Sequence, residues 1–262
     1  MLLTQGSLSK IKKQEGYLIS FYPWKESSYI LKFLLKDFGV LDFILFRGKR
    51  KHIPISIGFK YDIVFYKKEN LSIIKEIVLN ESITINTKKD FYLVHIIFKL
   101  ISKLHISEEY SNFFWTLIEE IFSLLKNSKI DKDLIFIKFL ISVLKIEGLW
   151  KEYTKCFKCH KKFSKGDDVF FDLQNVRIYC SECIDTYNNK QNKIFPIKFW
   201  IISFSNWLIY NNIDLIPDSK KENILKNKNE IMNFLIEYYK IHLLYKDEEI
   251  FKIIDKYLQV SS

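Results

Sequence analysis

The chain is predicted to be α+β, with a small amino-terminal β-barrel, an α-helical body behind it, and a four-cysteine finger inserted into that body. Three observations predict this. Apolar residues recur with period two from Glu15 to Asn80, and the period then lengthens to that of a helix. All four cysteines fall in two Cys-x-x-Cys pairs inside residues 150–190. With 262 residues, 48% of them hydrophobic, the chain can fill a core without disulfides.

The first run alternates Tyr17, Ile19 and Phe21; runs over 29–35 and 40–46 follow. Ile57, Phe59, Tyr61, Ile63 and Phe65 alternate most cleanly, and 71–79 completes a set of five. Gly39, Gly58 and Lys67-Lys68-Glu69-Asn70 punctuate these runs as turns between antiparallel strands. Five short strands of this kind predict a barrel of OB-fold type.

Helical spacing begins with Phe91, Val94, His95, Phe98 and Ile101 after a Thr87-x-x-Asp90 capping signature. It repeats over 107–125 and 131–146, where Gly148 stands at the C-cap position. Beyond the cysteine segment, helices are expected over 196–210, 223–245 and 248–258. The expected domains are therefore an OB-fold nucleic-acid-binding barrel at 1–82, a helical domain in two parts at 83–150 and 191–262, and a four-cysteine zinc finger at 151–190.

Cys156-x-x-Cys159 and Cys180-x-x-Cys183 have the spacing at which each pair turns two thiolates toward one ion, completing a tetrahedral site. The pattern predicts one structural Zn2+ held by Cys156, Cys159, Cys180 and Cys183. Four unrelated thiols, a redox dithiol, or haem attachment through Cys156-Phe-Lys-Cys159-His160 are the alternatives; haem would leave Cys180 and Cys183 unexplained. Four thiolates leave no open position on the metal, so the site is expected to stiffen the fold rather than catalyse.

The net charge is +10 and the pI about 9.2. Lysine abundance and the absence of alanine point to an AT-rich genome, so distribution matters more than total charge. Residues 1–80 carry 14 basic against 7 acidic side chains, and 81–262 carry 27 against 24. Two of the three arginines lie in Arg47-Gly48-Lys49-Arg50-Lys51, at the exit of the third predicted strand, where forked guanidinium groups suit phosphate. Arg47, Lys49, Arg50 and Lys51 are the first candidates for DNA contact, with Lys10, Lys12 and Lys13 ahead of the first strand as further ones. Tyr22 and Trp24, beside the first turn, are candidates for base stacking. The bland reading is a solvated loop and core aromatics.

No phosphate loop, dinucleotide fingerprint, nucleophile elbow or His-Glu-x-x-His motif occurs, and pairs such as Asp167-Asp168 and Glu119-Glu120 read as solvated acids. No catalytic residue is assigned, and the protein is expected not to be an enzyme. The amino terminus lacks a signal-peptide core and every long apolar stretch is interrupted by polar residues, so no membrane association and a cytoplasmic location are expected.

The stretch from Gly16 through Ser27 and Ile30-Leu31 to Asp37-Phe38-Gly39, followed by Arg47-Gly48-Lys49-Arg50-Lys51, resembles the amino-terminal signature of the bacterial RecO family of DNA repair proteins. The segment 149–159, then Phe163-Ser164, Cys180-x-x-Cys183 and Tyr239-x-x-His242 are similar to later family motifs in the same order. Pro23-Trp24-Lys25-Glu26, Phe46 and Asp167-Asp168 depart from the family pattern. The resemblance implies a recombination mediator, associated with the nucleoid, that binds single- and double-stranded DNA and anneals complementary strands without ATP hydrolysis. It also implies that the protein assists recombinase loading together with a RecR-like partner and single-strand-binding protein. Two other readings are a zinc-ribbon scaffold that joins proteins without DNA activity, and a metal-dependent nuclease.

Overall fold

The computed structural model describes residues 11–48, 53–68, 71–83, 85–185, 193–243 and 247–260. The period-two segments form β1 (Ile11–Trp24), β2 (Ser28–Leu35), β3 (Gly39–Leu45), β4 (Lys60–Tyr66) and β5 (Ser72–Glu81). They close into a barrel in the order β1-β2-β3-β5-β4, with β1 sealing against β4. Only the β3–β5 seam is parallel, through Phe43↔Ser72 and Ile44↔Ile73, which gives the OB-fold arrangement.

Closure depends on β1 serving two neighbours. Its first half pairs with β4, from Ile11↔Tyr66 to Tyr17↔Lys60, and its second with β2, from Gly16↔Leu35 to Trp24↔Ser28. Gly16 is paired on both sides, and a Cβ there would lie 2.6 Å from Leu35 Cδ2 and 3.0 Å from Ile63 Cδ1. The strand can cross its own core at this point because no side chain intervenes. Inside the barrel, Leu18, Leu31, Phe33, Phe43, Ile63 and Phe65 are buried, and Phe43 meets Phe65 edge-on at 5.0 Å. The Tyr61 hydroxyl donates to the Pro54 carbonyl at 2.7 Å and accepts from the Ser56 N–H at 3.1 Å, so the core phenol is satisfied.

Helices follow as α1 (Lys88–Lys103), α2 (Glu108–Lys126) and α3 (Lys132–Ile146). The Thr87/Asp90 signature forms a capping box: the Asp90 N–H donates to Thr87 Oγ1 at 3.0 Å and the Thr87 N–H to Asp90 Oδ2 at 3.1 Å. Gly148 takes φ +70° just past the end of α3. The cysteine segment contributes β6 (Asp168–Asp172), β7 (Arg177–Cys180) and the single turn α4 (Ser181–Ile184). The remaining elements are β8 (Ile194–Lys198), α5 (Phe199–Tyr210), α6 (Asp218–His242) and α7 (Glu248–Val260). No helix among the described residues is long and apolar enough to cross a membrane.

The chain divides into two compact units, Met1–Phe122 with Glu249–Ser262, and Ser123–Glu248. In the first, Tyr17 of β1 packs on Trp115 at 4.9 Å and on Phe122 at 5.3 Å, and its hydroxyl donates to Glu119 at 2.9 Å. Lys60 reaches the same Glu119 oxygen at 2.9 Å, and Glu15 lies 3.8 Å away. α7 returns to this unit, burying Ile250, Ile254 and Tyr257, and Glu249 accepts from Lys99 at 2.6 Å.

In the second unit α3 is buried on nearly every side, as a central helix must be. Its Lys138, only 2% exposed, donates to the carbonyls of Leu208 and Asn211 at 3.1 and 3.0 Å, capping α5. Tyr238 donates to the Leu149 carbonyl at 2.6 Å, Tyr239 donates to the Leu140 carbonyl at 2.8 Å, and His242 Nε2 lies 2.6 Å from the Leu173 carbonyl.

Four departures from the sequence expectation have a local cause. β1 begins at Ile11 rather than Glu15, so Lys12 and Lys13 lie within the strand; only β4 pairs with this stretch, and its polar side chains hide the alternation. β4 begins at Lys60, because Gly58 at φ +87° belongs to the preceding turn. Residues 196–198 are strand, not helix: Pro196 sits on β8, an edge strand paired only with β6, where a missing N–H costs no ladder bond. α6 begins five residues before 223, since its solvent-facing first turns carry no apolar period.

Candidate metal centre and nucleic-acid interface

The two cysteine pairs come from different local structures. Cys156 and Cys159 occupy a tight turn closed by the Lys155↔Lys162 bridge, in which the Cys156 N–H donates to the Lys161 carbonyl at 2.9 Å and the His160 N–H to the Cys156 carbonyl at 3.1 Å. Cys180 ends β7 and Cys183 lies in α4. The Phe157 N–H donates to the Ile178 carbonyl at 2.8 Å, holding the turn against β7.

All four Sγ atoms lie within 4.8 Å of one another, and Cys159 Sγ is 3.7 Å from Cys180 Sγ. A tetrahedral ion with metal–sulfur bonds of about 2.3 Å needs sulfurs about 3.8 Å apart, so the donor set fits one. Cys156, Cys180 and Cys183 are buried and Cys159 is exposed, with Phe163, Phe170 and Ile184 packed around the cluster. His160, at φ +60°, is not a member of the cluster.

The thiols are electrostatically unequal. Burial opposes ionisation of Cys156, but backbone N–H groups of Cys159, Cys180 and Lys158 outweigh it and bring the thiol down to about 6. Burial pushes Cys183 up to about 12, and crowding by the other sulfurs adds to this; burial also raises Cys180, where the Cys159 and Cys156 sulfurs add to the rise and hydrogen bonds from Cys183 oppose it. The Cys156 thiolate forms readily, and Cys180 and Cys183 gain most from a cation that offsets their burial.

Of the basic candidates, Lys10, Lys49, Arg50 and Lys51 lie outside the described residues. Arg47 is exposed and holds φ +56° at the exit of β3. Lys13 is exposed on β1, and half-buried Lys12 stands with its Nζ 5.9 Å from the Phe38 ring centre. The register relates these positions: Ile44 of β3 pairs with Ile73, Ile73 with Tyr66, and Tyr66 with Ile11. Lys12 and Lys13 follow Ile11, and Arg47 follows Ile44, in strands running the same way. They therefore border one stretch of barrel wall crossed by β4 and β5.

Tyr22 is 55% exposed on β1, and Trp24 carries Lys25 Nζ at 4.2 Å above its ring. Two neighbours escaped the sequence reading. Phe46, beside Arg47, is 49% exposed where alternation suggested an apolar strand end, and Lys67 Nζ lies 4.4 Å from the Phe38 ring centre. The signal for Phe46 was its place directly before the basic run; for Lys67 there was none, because Phe38 lies in a different turn. The acids are occupied structurally: Asp167 accepts from the Ser164 N–H at 2.9 Å, and Asp168 pairs with Lys198 at 2.6 Å.

A closed OB-fold barrel followed by helices, with a four-cysteine cluster able to hold a metal ion between helical segments, defines the architectural class of the chain. No family model matches the chain. The DNA repair protein RecO of Caldicellulosiruptor saccharolyticus is 26% identical over 248 residues, covering 92% of this chain and 96% of that protein. The DNA repair protein RecO of Caldicellulosiruptor bescii is 23% identical over 249 residues, with the same coverage of 92% and 96%. Similarity along nearly the whole of both relatives supports membership of the RecO family.

Proposed function

We propose that the protein acts in DNA repair as a recombination mediator that binds single- and double-stranded DNA, anneals complementary strands and assists recombinase loading without ATP hydrolysis. The observation that carries this reading is the combination of an OB-fold barrel edged by cations with end-to-end similarity to RecO proteins. In this reading residues 1–82 bind nucleic acid, 83–150 and 191–262 form the helical scaffold, and 151–190 are a finger stiffened by one zinc ion on Cys156, Cys159, Cys180 and Cys183. Four sulfur donors favour zinc over harder cations. The metal supplies cross-linking of the finger.

Arg47, Lys49, Arg50 and Lys51, aided by Lys10, Lys12 and Lys13, neutralise phosphates. Two strands then approach without full mutual repulsion and pair through their own bases. A RecR-like protein and single-strand-binding protein are the partners of this reading, in the cytoplasm at the nucleoid, and the protein itself makes and breaks no covalent bond.

The test is fluorescence anisotropy of a labelled single strand across a salt series. Replacing Arg47, Lys49, Arg50 and Lys51 by alanine is expected to weaken binding and flatten the log–log salt slope by about 0.7 for each phosphate no longer neutralised. An unchanged slope and affinity would remove the β3 exit from the DNA site.

A further inference from the structure

The second unit carries an aromatic groove that neither the barrel nor the cysteine cluster uses. α5 contributes Trp200, Phe204 and Trp207, spaced three and four residues apart and so sharing one helical face, and the first turns of α6 form the other wall. The groove encloses about 310 Å³, close to the roughly 300 Å³ at which small-molecule sites begin. Both tryptophans are only half-buried, and Phe204 and Trp207 lie near-parallel at 16° with ring centres 6.2 Å apart.

The margin is cationic. Lys165 and Lys220 line the groove and are exposed, and among the described residues neither forms an ion pair, whereas the adjacent Lys221 is held by Asp218 at 2.9 Å. Ser203 and Asn223 add hydrogen-bonding groups within reach of a ligand edge.

Two half-exposed indoles over the buried Phe204, cations without ion-pair partners beside them and a few polar side chains match a nucleotide: a base stacks on the tryptophans and a phosphate meets the lysines. A base inside a duplex has both faces covered by its neighbours, so the site suits an unpaired one. We propose that this groove takes an unpaired nucleotide of a single DNA strand, making the second unit a strand-binding surface in addition to the barrel. The proposal rests on the DNA-binding reading above. A protein that anneals must hold two strands, and a second strand-binding surface meets that need.

The test uses the full chain and oligothymidylate carrying 5-iodouracil, which cross-links to aromatic side chains on irradiation, with the modified peptides mapped by mass spectrometry. Cross-links within 199–207 are expected. Cross-links confined to 11–81 would overturn the groove and leave the barrel reading standing; no oligonucleotide binding at all would overturn both.

The double variant Lys165→Ala/Lys220→Ala changes only exposed side chains, so it keeps its fold. It should bind oligothymidylate several-fold more weakly and lose about 0.7 of salt slope per lysine, with duplex binding little changed; an unchanged slope would contradict the proposal. If a peptide of mixed aspartate and phenylalanine loses affinity in that variant while oligothymidylate does not, the groove is a peptide site and the proposal fails.

Discussion

Gly39 shows how much a single residue decides. It opens β3 at φ +72°, and a Cβ there would fall 2.1 Å from the Ile106 carbonyl oxygen, the atom that accepts the Val40 N–H at 3.0 Å. Alanine would strain the turn and push the chain from that hydrogen bond. Gly39→Ala is expected to lower unfolding stability by about 2 kcal/mol or more, read from the urea midpoint. Gly39 was legible as a turn marker, and the cysteines were legible because a metal finger imposes spacing that local sequence records. Lys138 was not: it stands within an apolar run, and its partners, the Leu208 and Asn211 carbonyls, belong to a helix end some 70 residues away.

Among the elements, β1 and α2 are joined by the Tyr17–Glu119–Lys60 network. Burial raises the Tyr17 phenol above its ordinary 10.0, and the hydrogen bond to Glu119 raises it further. Burial opposes the charge on Lys60, but the bond to Glu119 together with the negative charges of Glu119, Glu15 and Glu81 outweighs it and raises the ammonium above 10.5. Both folded values exceed the unfolded ones, so this contribution is complete below about pH 10 and is lost as the pH rises toward the folded values.

Tyr17→Phe should cost about 1–2 kcal/mol at pH 7, and the gap to the parent protein should shrink above pH 10; urea midpoints at the two pH values check this. A gap that widens in alkali would contradict it. The five strands and most helices were readable from period alone, whereas Pro196 on an edge strand and the polar first turns of α6 were not, because neither carries an apolar period of its own. The finger makes its own prediction. Metal analysis should find one zinc per chain, and chelation should lower the melting temperature and expose 150–185 to proteolysis, while oligonucleotide binding by the barrel survives in part. A metal-free preparation with the same melting temperature would refute the structural role.

At the scale of the whole molecule, the sequence carried the order of parts, barrel, helices and finger, because each has its own period or spacing. It did not carry the return of α7 to the first unit, which rests on pairings such as Lys99–Glu249 between residues 150 apart in the chain. Nor did it mark the α5 groove, whose aromatics at helical spacing read as core. The functional reading joins these parts into one activity, the pairing of two strands by charge neutralisation.

The most direct measurement is annealing of two complementary fluorescent oligonucleotides precoated with single-strand-binding protein, with no nucleotide present. Fast annealing that depends on this protein, and that slows when Arg47, Lys49, Arg50 and Lys51 are replaced by alanine, is the predicted result; annealing no faster than the spontaneous rate, together with no binding to either strand, would contradict it.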